Sequence, residues 1–291
     1  MRKIGVFGSE FSVDKFPIIN DLFAKLKSLN AAVFLQSSFR SFLSEKFDFH
    51  PETDGTVEDS LEDVEMALSI GGDGTFLRTA LIVSKSDIPI LGINIGRLGF
   101  LADTGRGEIG ETLEEIFRGE YRIEKRSVLK LCTEHKVFSG FNYALNEVAI
   151  LKRETSSMIT IHAYLNDDYL TSYQADGLII STPTGSTAYS MSVNGPILLP
   201  ENNNFVLSPV APHSLTTRPI VIPDNYHVML KIESRINSFL VSLDGRSEAI
   251  STDISLKISK ADFSTGIIKR LNHTFYQTLR EKLMWGKDVR S

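Results

Sequence analysis

Apolar positions in the first part of the chain alternate between strand-length and helix-length patterns. Lys3–Phe7 and Ala31–Leu35 are short apolar runs of strand type, and Ile18–Leu29 between them carries apolar residues at helical spacing. The alternation continues with a strand at Val64–Ile70, a helix at Thr75–Ile82, a strand at Ile88–Asn94 and a helix near Ile109–Phe117. Strands that are apolar throughout, separated by helices, predict a parallel sheet with helices on its faces. Gln36–Glu58 is polar and poorly patterned, so a mobile loop is expected there. From about Tyr121 the rhythm changes to short β-rich runs at Val128–Thr133, Tyr143–Leu151, Met158–Leu165, Gly177–Ser181, Val228–Glu233 and Phe239–Leu243. The one exception is a short helix over Ser186–Ser192. Thr274–Trp285, with Phe275, Leu279, Leu283 and Met284 as apolar anchors, reads as an amphipathic helix returning to the first domain. The expected architecture is α/β plus β. A Rossmann-like α/β domain spans 1–122, with 266–291 packing back on it, and a mostly-β domain spans 123–265.

Composition narrows the function more by exclusion than by indication. With 291 residues there is room for two substantial cores. A net charge of −5 provides no global field for nucleic acid or an anionic membrane, and neither is expected as a partner. Cys132 is the single cysteine, which excludes an internal disulfide and a multi-cysteine zinc site. The six histidines show no pair at ligand spacing, so no dedicated protein-held metal site is expected. No apolar run is long enough to span a bilayer, and Met1–Gly8 runs straight into a strand without a signal-peptide core. A cytoplasmic location is expected.

The candidate chemistry begins at Ile70-Gly71-Gly72-Asp73-Gly74-Thr75, where a strand turns into a helix. Such a turn aims backbone N–H groups and the positive end of the helix dipole at an anion, and glycines let a phosphate come close. Asp73 beside that phosphate could contact a metal or take a proton from an attacking hydroxyl, or it could simply form an Asx-turn at the helix start. Gly92–Asp103 leaves the end of a parallel strand, where open sheets place ligands, and Phe100 on it either lines a flat pocket or anchors the loop. Asn146-Glu147 interrupts an apolar strand. One member should face inward and need a partner, unless the pair marks a bulge on a solvent-facing edge. Asp176–Pro196 runs from a strand into a hydroxyl-rich turn and a helix start carrying Tyr189, a stacking face with a polar handle.

With Leu207–Leu215 and Ser242-Leu243-Asp244-Gly245, these segments resemble the NAD kinase family in order and spacing from Val64 to Gly245. The resemblance implies transfer of a phosphoryl group from ATP, or in some bacteria polyphosphate, to the 2′-hydroxyl of the adenosine ribose of NAD. It also implies Mg²⁺ or Mn²⁺ and a homodimer or homotetramer. Asp73 matches the proposed general base and is the one residue placed to touch a metal, with Gly72, Gly74 and Thr75 in the phosphate-facing turn and Arg78 after them. Phe100 matches an adenine-pocket position. Asn146, Glu147 and Asp176 match dinucleotide contacts. Thr187, Ala188, Tyr189, Ser190, Met191 and Ser192 match the segment that wraps the dinucleotide, Ala211 matches a backbone contact, and Asp244 and Arg246 complete the set. The chain departs from the family at Arg246, where glutamine is common, and at Gln174, where a basic residue is common; both bear on affinity. No Walker lysine loop is present. The glycine turn alone also resembles lipid kinases of the diacylglycerol kinase type, although no basic amphipathic face accompanies it here. A silent dinucleotide-binding regulator is the remaining reading.

Overall fold

The structure is a computed structural model that describes all residues except 135, 136, 139, 140, 154–156 and 286–291. The chain divides into two compact units, Met1–Lys125 with Thr265–Ser291, and Arg126–Ser264.

In the first unit, β1 (Lys3–Gly8), α1 (Phe16–Ser28), β2 (Ala32–Leu35), α2 (Ser37–Phe47), β3 (Gly55–Thr56), α3 (Val57–Ser60), β4 (Met66–Gly71), α4 (Asp73–Ile82), β5 (Ile90–Asn94) and α5 (Ile109–Arg118) follow in order. The strands are parallel in the order β5-β4-β1-β2-β3. β2, β4 and β5 are buried at every position, which is why they read as unbroken apolar runs. Ile4, Val6, Leu68, Ile70 and Ile93 share one core with Leu22 and Leu26 of α1 and Leu113 and Ile116 of α5. Strand order reverses between β1 and β4, and the carboxyl ends of these two strands define the crevice where open α/β sheets take ligands.

The mobile loop expected over Gln36–Glu58 is corrected by the structure, which places a helix and a short strand there. Phe39 and Leu43 are fully buried, while Phe42 and Phe47 pack with Phe11 and Phe16 in stacked and edge-on pairs at 4.6–5.6 Å. Positions 39, 42, 43 and 47 have helical spacing, but the intervening serines mask the apolar stripe.

β6 (Tyr121–Cys132) carries the chain into the second unit. There follow β7 (Tyr143–Ala144), β8 (Glu147–Leu151), β9 (Ile159–Leu165), β10 (Asp168–Ala175), β11 (Gly177–Ser181), a 3₁₀ turn at Thr184–Thr187 and α6 (Tyr189–Ser192). β12 (Asn204–Val210), β13 (Ile220–Pro223), β14 (Val228–Glu233), β15 (Ser238–Leu243) and β16 (Arg246–Ser251) complete it, and β17 (Leu256–Arg270) returns to the first unit. One antiparallel sheet has the order β13-β12-β11-β8-β15-β16; a second pairs β10, β9, β14 and the start of β17. Ile150, Leu178, Ile180, Phe205, Leu207 and Phe239 meet Ile161, Leu230 and Ile258 in one core.

The strand expected over Tyr143–Leu151 is broken at Leu145-Asn146. β10 and β16 escaped the sequence pattern because each is a sheet edge with mostly polar, half-exposed positions. β12 was masked by Pro209, which lies beyond the end of β13 and so needs no N–H on that side.

The terminal helix, α7 (Phe275–Leu283), is capped by Thr274 and Gln277, each accepting from the other's backbone N–H. It stops before the expected Met284 anchor. Met284 takes a left-handed backbone with φ 54° and is exposed. No helix among the described residues is long and apolar enough to cross a membrane.

Candidate functional site

In the first unit the glycine turn delivers Asp73 as the first residue of α4, with Gly72 as its N-cap. A β-carbon built at Gly72 or Gly74 would meet nothing within 4 Å, so this face of the turn is open to a ligand. Asp73 does not make an Asx-turn. Its Oδ1 accepts the N–H groups of Leu101 and Ala102, both at 3.0 Å, and its Oδ2 accepts the N–H of Phe100 at 2.9 Å and Lys282 Nζ at 3.2 Å. Burial favours the protonated acid, but the donors from Ala102 and Phe100, with the charge on Lys282, outweigh it and hold the carboxyl below its usual range. These contacts hold Asp73 as the carboxylate, presented at the start of α4.

The loop that reaches Asp73 is seated from below. Asp103, 8% exposed, is paired with Lys269 of β17, itself 7% exposed, and with His273 at 3.3 Å. A β-carbon at Gly99 would lie 2.0 Å from Asp73 Oδ1, so only glycine allows this approach. Phe100 rests against Phe275 with centroids 6.2 Å apart and lies 4.5 Å beneath Lys282 Nζ, which anchors the loop to α7. Beside the turn, at the strand-order reversal, a cleft of about 320 Å³ is lined by Ser9, Gln36, Thr75, Arg78, Phe42 and Ile82. Thr75 Oγ1 joins Ser9 Oγ at 2.8 Å and receives Arg78 at 3.3 Å, giving the cleft hydroxyl and cationic groups opposite an apolar wall.

In the second unit the chemistry gathers around the break between β7 and β8. Asp244 and Gly245 form the two-residue turn of the β15–β16 hairpin, with φ 49° and 83°. The Asp244 carboxylate accepts the N–H groups of Leu145 at 2.7 Å, Asn146 at 2.9 Å and Glu147 at 3.1 Å. Thus the break is held open by the half-buried Asp244 side chain. Both Asn146 and Glu147 are buried, at 8% and 9% exposure, which excludes the bulge on a solvent-facing edge. Burial, then the charge of Asp244, pushes the Glu147 carboxyl up to about 8 despite the N–H of Tyr189, and its Oε2 has no protein partner. Such an atom is suited to a hydroxyl-bearing ligand.

Tyr189 is exposed at the start of α6, whereas the Ser190 hydroxyl turns inward to Ser208 at 3.0 Å. The Thr187 hydroxyl donates to Thr184 and that of Ser192 to Tyr189; Ala188 and Met191 are half-buried between them. Asp176 pairs with Lys152 at 2.6 Å. Ala211 is exposed and held in a left-handed backbone with φ 43°, a strained conformation of the kind found at ligand-contact sites. Arg246 is occupied with the chain itself. It donates to the carbonyls of Phe141 at 2.9 Å and Tyr143 at 2.6 Å, while Gln174 lies on β10.

The donor set does not fit a resident metal. Both Asp73 oxygens already accept two donors each, and no cluster of three or more His, Cys, Asp or Glu among the described residues could hold an ion. Sequence reasoning missed Lys282. Its signal was a lysine at the inward-facing position of the 275, 278, 279, 282 stripe of an amphipathic helix.

Two family models match the chain, the ATP-NAD kinase N-terminal domain over residues 22–121 and the ATP-NAD kinase C-terminal domain over 145–270. An NAD kinase of Bacteroides fragilis is 48% identical over 288 residues, covering 99% of both chains. One of Porphyromonas gingivalis is 46% identical over 290 residues, covering 100% of both. Among solved structures, yeast NADH kinase complexed with NADH superposes with a TM-score of 0.86 at 20% identity, covering 100% of this chain and 89% of its own. An Archaeoglobus fulgidus NAD kinase in complex with ATP gives 0.74 at 24% identity, covering 98% and 99%. These two likenesses establish the fold, and the sequence relatives and both domain models establish the descent: the chain belongs to the NAD kinase family.

Proposed function

We infer that this protein phosphorylates the 2′-hydroxyl of the adenosine ribose of NAD with ATP, giving NADP. The observation that carries the reading is an ionised Asp73 presented beside the open faces of Gly72 and Gly74 in a chain of this family. The new bond joins the 2′-oxygen to the γ-phosphorus. The bond from that phosphorus to the β,γ-bridging oxygen breaks, ADP leaves, and the 2′-proton passes to Asp73. A loose transition state asks for positioning before proton removal, which matches a carboxylate of low basicity held by three backbone donors.

Gly72, Gly74, Thr75 and Arg78 are assigned to the donor phosphates, with the cleft at the strand-order reversal taking the rest of the donor. Phe100, Asn146, Glu147, Asp176, Tyr189 and Ala211 are assigned to the dinucleotide, and Thr187, Ala188, Met191 and Ser192 to the turn that presents Tyr189. Ser190, Asp244 and Arg246 support that surface from within. Mg²⁺ or Mn²⁺ is assigned to the ATP chelate. The enzyme acts in the cytoplasm as a homodimer or homotetramer, with the β13 and β16 edges as candidate pairing surfaces.

The test is NADP formation from NAD and MgATP, read through an NADP-specific dehydrogenase. Asp73→Asn is expected to lower kcat roughly 10²–10⁴-fold while NAD still binds. Near-wild-type turnover of that variant would remove Asp73 from the reaction, and NAD binding without NADP from any phosphoryl donor would favour a silent regulator.

A further inference from the structure

Lys282 lies on the inward face of α7, two turns after Phe275, and both residues reach Phe100. A lysine in the apolar stripe of an amphipathic helix loses hydration without filling space well, so its position calls for a use. Its Nζ meets Asp73 Oδ2 at 3.2 Å and stands 4.5 Å over the Phe100 ring, with side-chain exposures of 29% for Lys282 and 28% for Asp73. Both partners are thus partly dehydrated and both remain reachable from solvent. Of the three N–H donors on Nζ, one has a protein acceptor among the described residues. Lys282 is also the one side-chain cation in contact with Asp73 among those residues.

We propose that Lys282 is the phosphoryl-facing cation of this kinase, carried into the site on the terminal helix in place of the lysine that a Walker loop would supply. The inference rests on the reading of Asp73 as the group that orients the 2′-hydroxyl. A substrate hydroxyl takes the place of Lys282 Nζ, the longest of the four contacts on Asp73, and sets the attacked phosphorus roughly 3 Å further on. The displaced ammonium, still over the Phe100 ring, lies within reach of that phosphoryl group's equatorial oxygens. Those oxygens carry the charge in a loose transition state, and the donors of Nζ are suited to them. Phe100 fixes the ammonium from beneath through its ring face, so little rearrangement accompanies the reaction. In the absence of donor the same contact keeps Asp73 charged and aimed.

The experiment compares wild type with Lys282→Met, Lys282→Gln and Lys282→Arg, measuring kcat and KM for NAD and for MgATP. NAD affinity is followed by titration and folding by thermal melting. Loss of the charge is expected to lower kcat roughly 10- to 100-fold, with KM for NAD within about twofold and melting unchanged. Arginine keeps a cation that can bridge a carboxylate and stack on an aromatic ring, and it is expected to recover most of the rate. Wild-type kcat in the neutral variants would overturn the proposal. So would an arginine variant as slow as the methionine one, since shape rather than charge would then decide. Should the neutral variants fail to fold, the arginine variant decides alone: wild-type kcat sustains the proposal, and loss of rate in a folded protein overturns it. If wild type itself makes no NADP, the functional reading fails first and takes the proposal with it. NADP from wild type with no dependence on Lys282 leaves that reading standing and sinks only this one.

Discussion

Two carboxylates of opposite character show what individual side chains contribute. Asp73 is kept ionised by three N–H donors and Lys282, whereas Glu147 is buried beside Asp244 with one oxygen unpartnered. Burial, with the neighbouring Asp244, raises the Glu147 carboxyl in the folded state to about 8 from its ordinary 4.5. The folded state therefore keeps a proton that the unfolded chain releases above about 4.5. Its contribution to stability is full below that point and is lost as pH rises toward 8. Glu147→Gln, which cannot ionise, is expected to flatten the fall of the melting temperature between pH 5 and 8.5 by several degrees in ligand-free protein. Parallel melting curves for variant and wild type across that range would show that Glu147 does not carry the proton. The sequence disclosed that Asn146-Glu147 needed a partner, but not that Asp244, about a hundred positions away, serves three backbone donors there. Neighbours so remote in the chain leave no periodic signal.

At the level of elements, the strand–turn–helix from β4 to α4 was legible because glycine and apolar runs are strong local signals. α2 was not, because its phenylalanines are diluted by serines and its partners Phe11 and Phe16 lie on another segment. The loop that holds Asp73 falls between these cases. Its glycines were visible, but the reason for Gly99 is a contact with a residue 26 positions earlier. Alanine at 99 would place its β-carbon 2.0 Å from Asp73 Oδ1 and 3.0 Å from the Ala102 carbonyl, so the loop must lift away from the carboxylate. Gly99→Ala is expected to cost about 1–3 kcal/mol of stability and to lower kcat on the order of 10²-fold. Gly107, whose β-carbon would meet nothing within 4 Å, supplies the control, and Gly107→Ala should match wild type in both measurements. Equal kcat for the two variants would mean that the loop need not touch Asp73 during turnover.

Across the whole molecule, the first unit is finished by a segment that follows the entire second unit in sequence. Ile267 lies in register with Ile90 of β5, and Ile268 belongs to the core formed by β1, β4 and α1. Lys269 answers the buried Asp103, and Arg270 meets Glu108, Glu111 and Glu115 around α5. A chain ending at Ser264 would lose all four residues at once and leave Asp103 as a buried, unpaired carboxylate. Breaking one buried pair in this way typically costs about 3–5 kcal/mol, a large share of a domain's net stability. The second unit keeps every residue of its own core in that truncated chain, including Leu256 and Ile258 at the start of β17. The expected outcome is selective unfolding. Limited proteolysis should remove the N-terminal portion and leave a resistant fragment beginning near Arg126, whereas the full chain resists at both ends of that boundary. Mass spectrometry of the digest reads the result directly. Uniform degradation would show that the second unit draws its stability from the first. A fully resistant truncated chain would show that the terminal segment only decorates an already stable sheet, and the seating of Asp73 would then have to be sought in β4 and α4 alone.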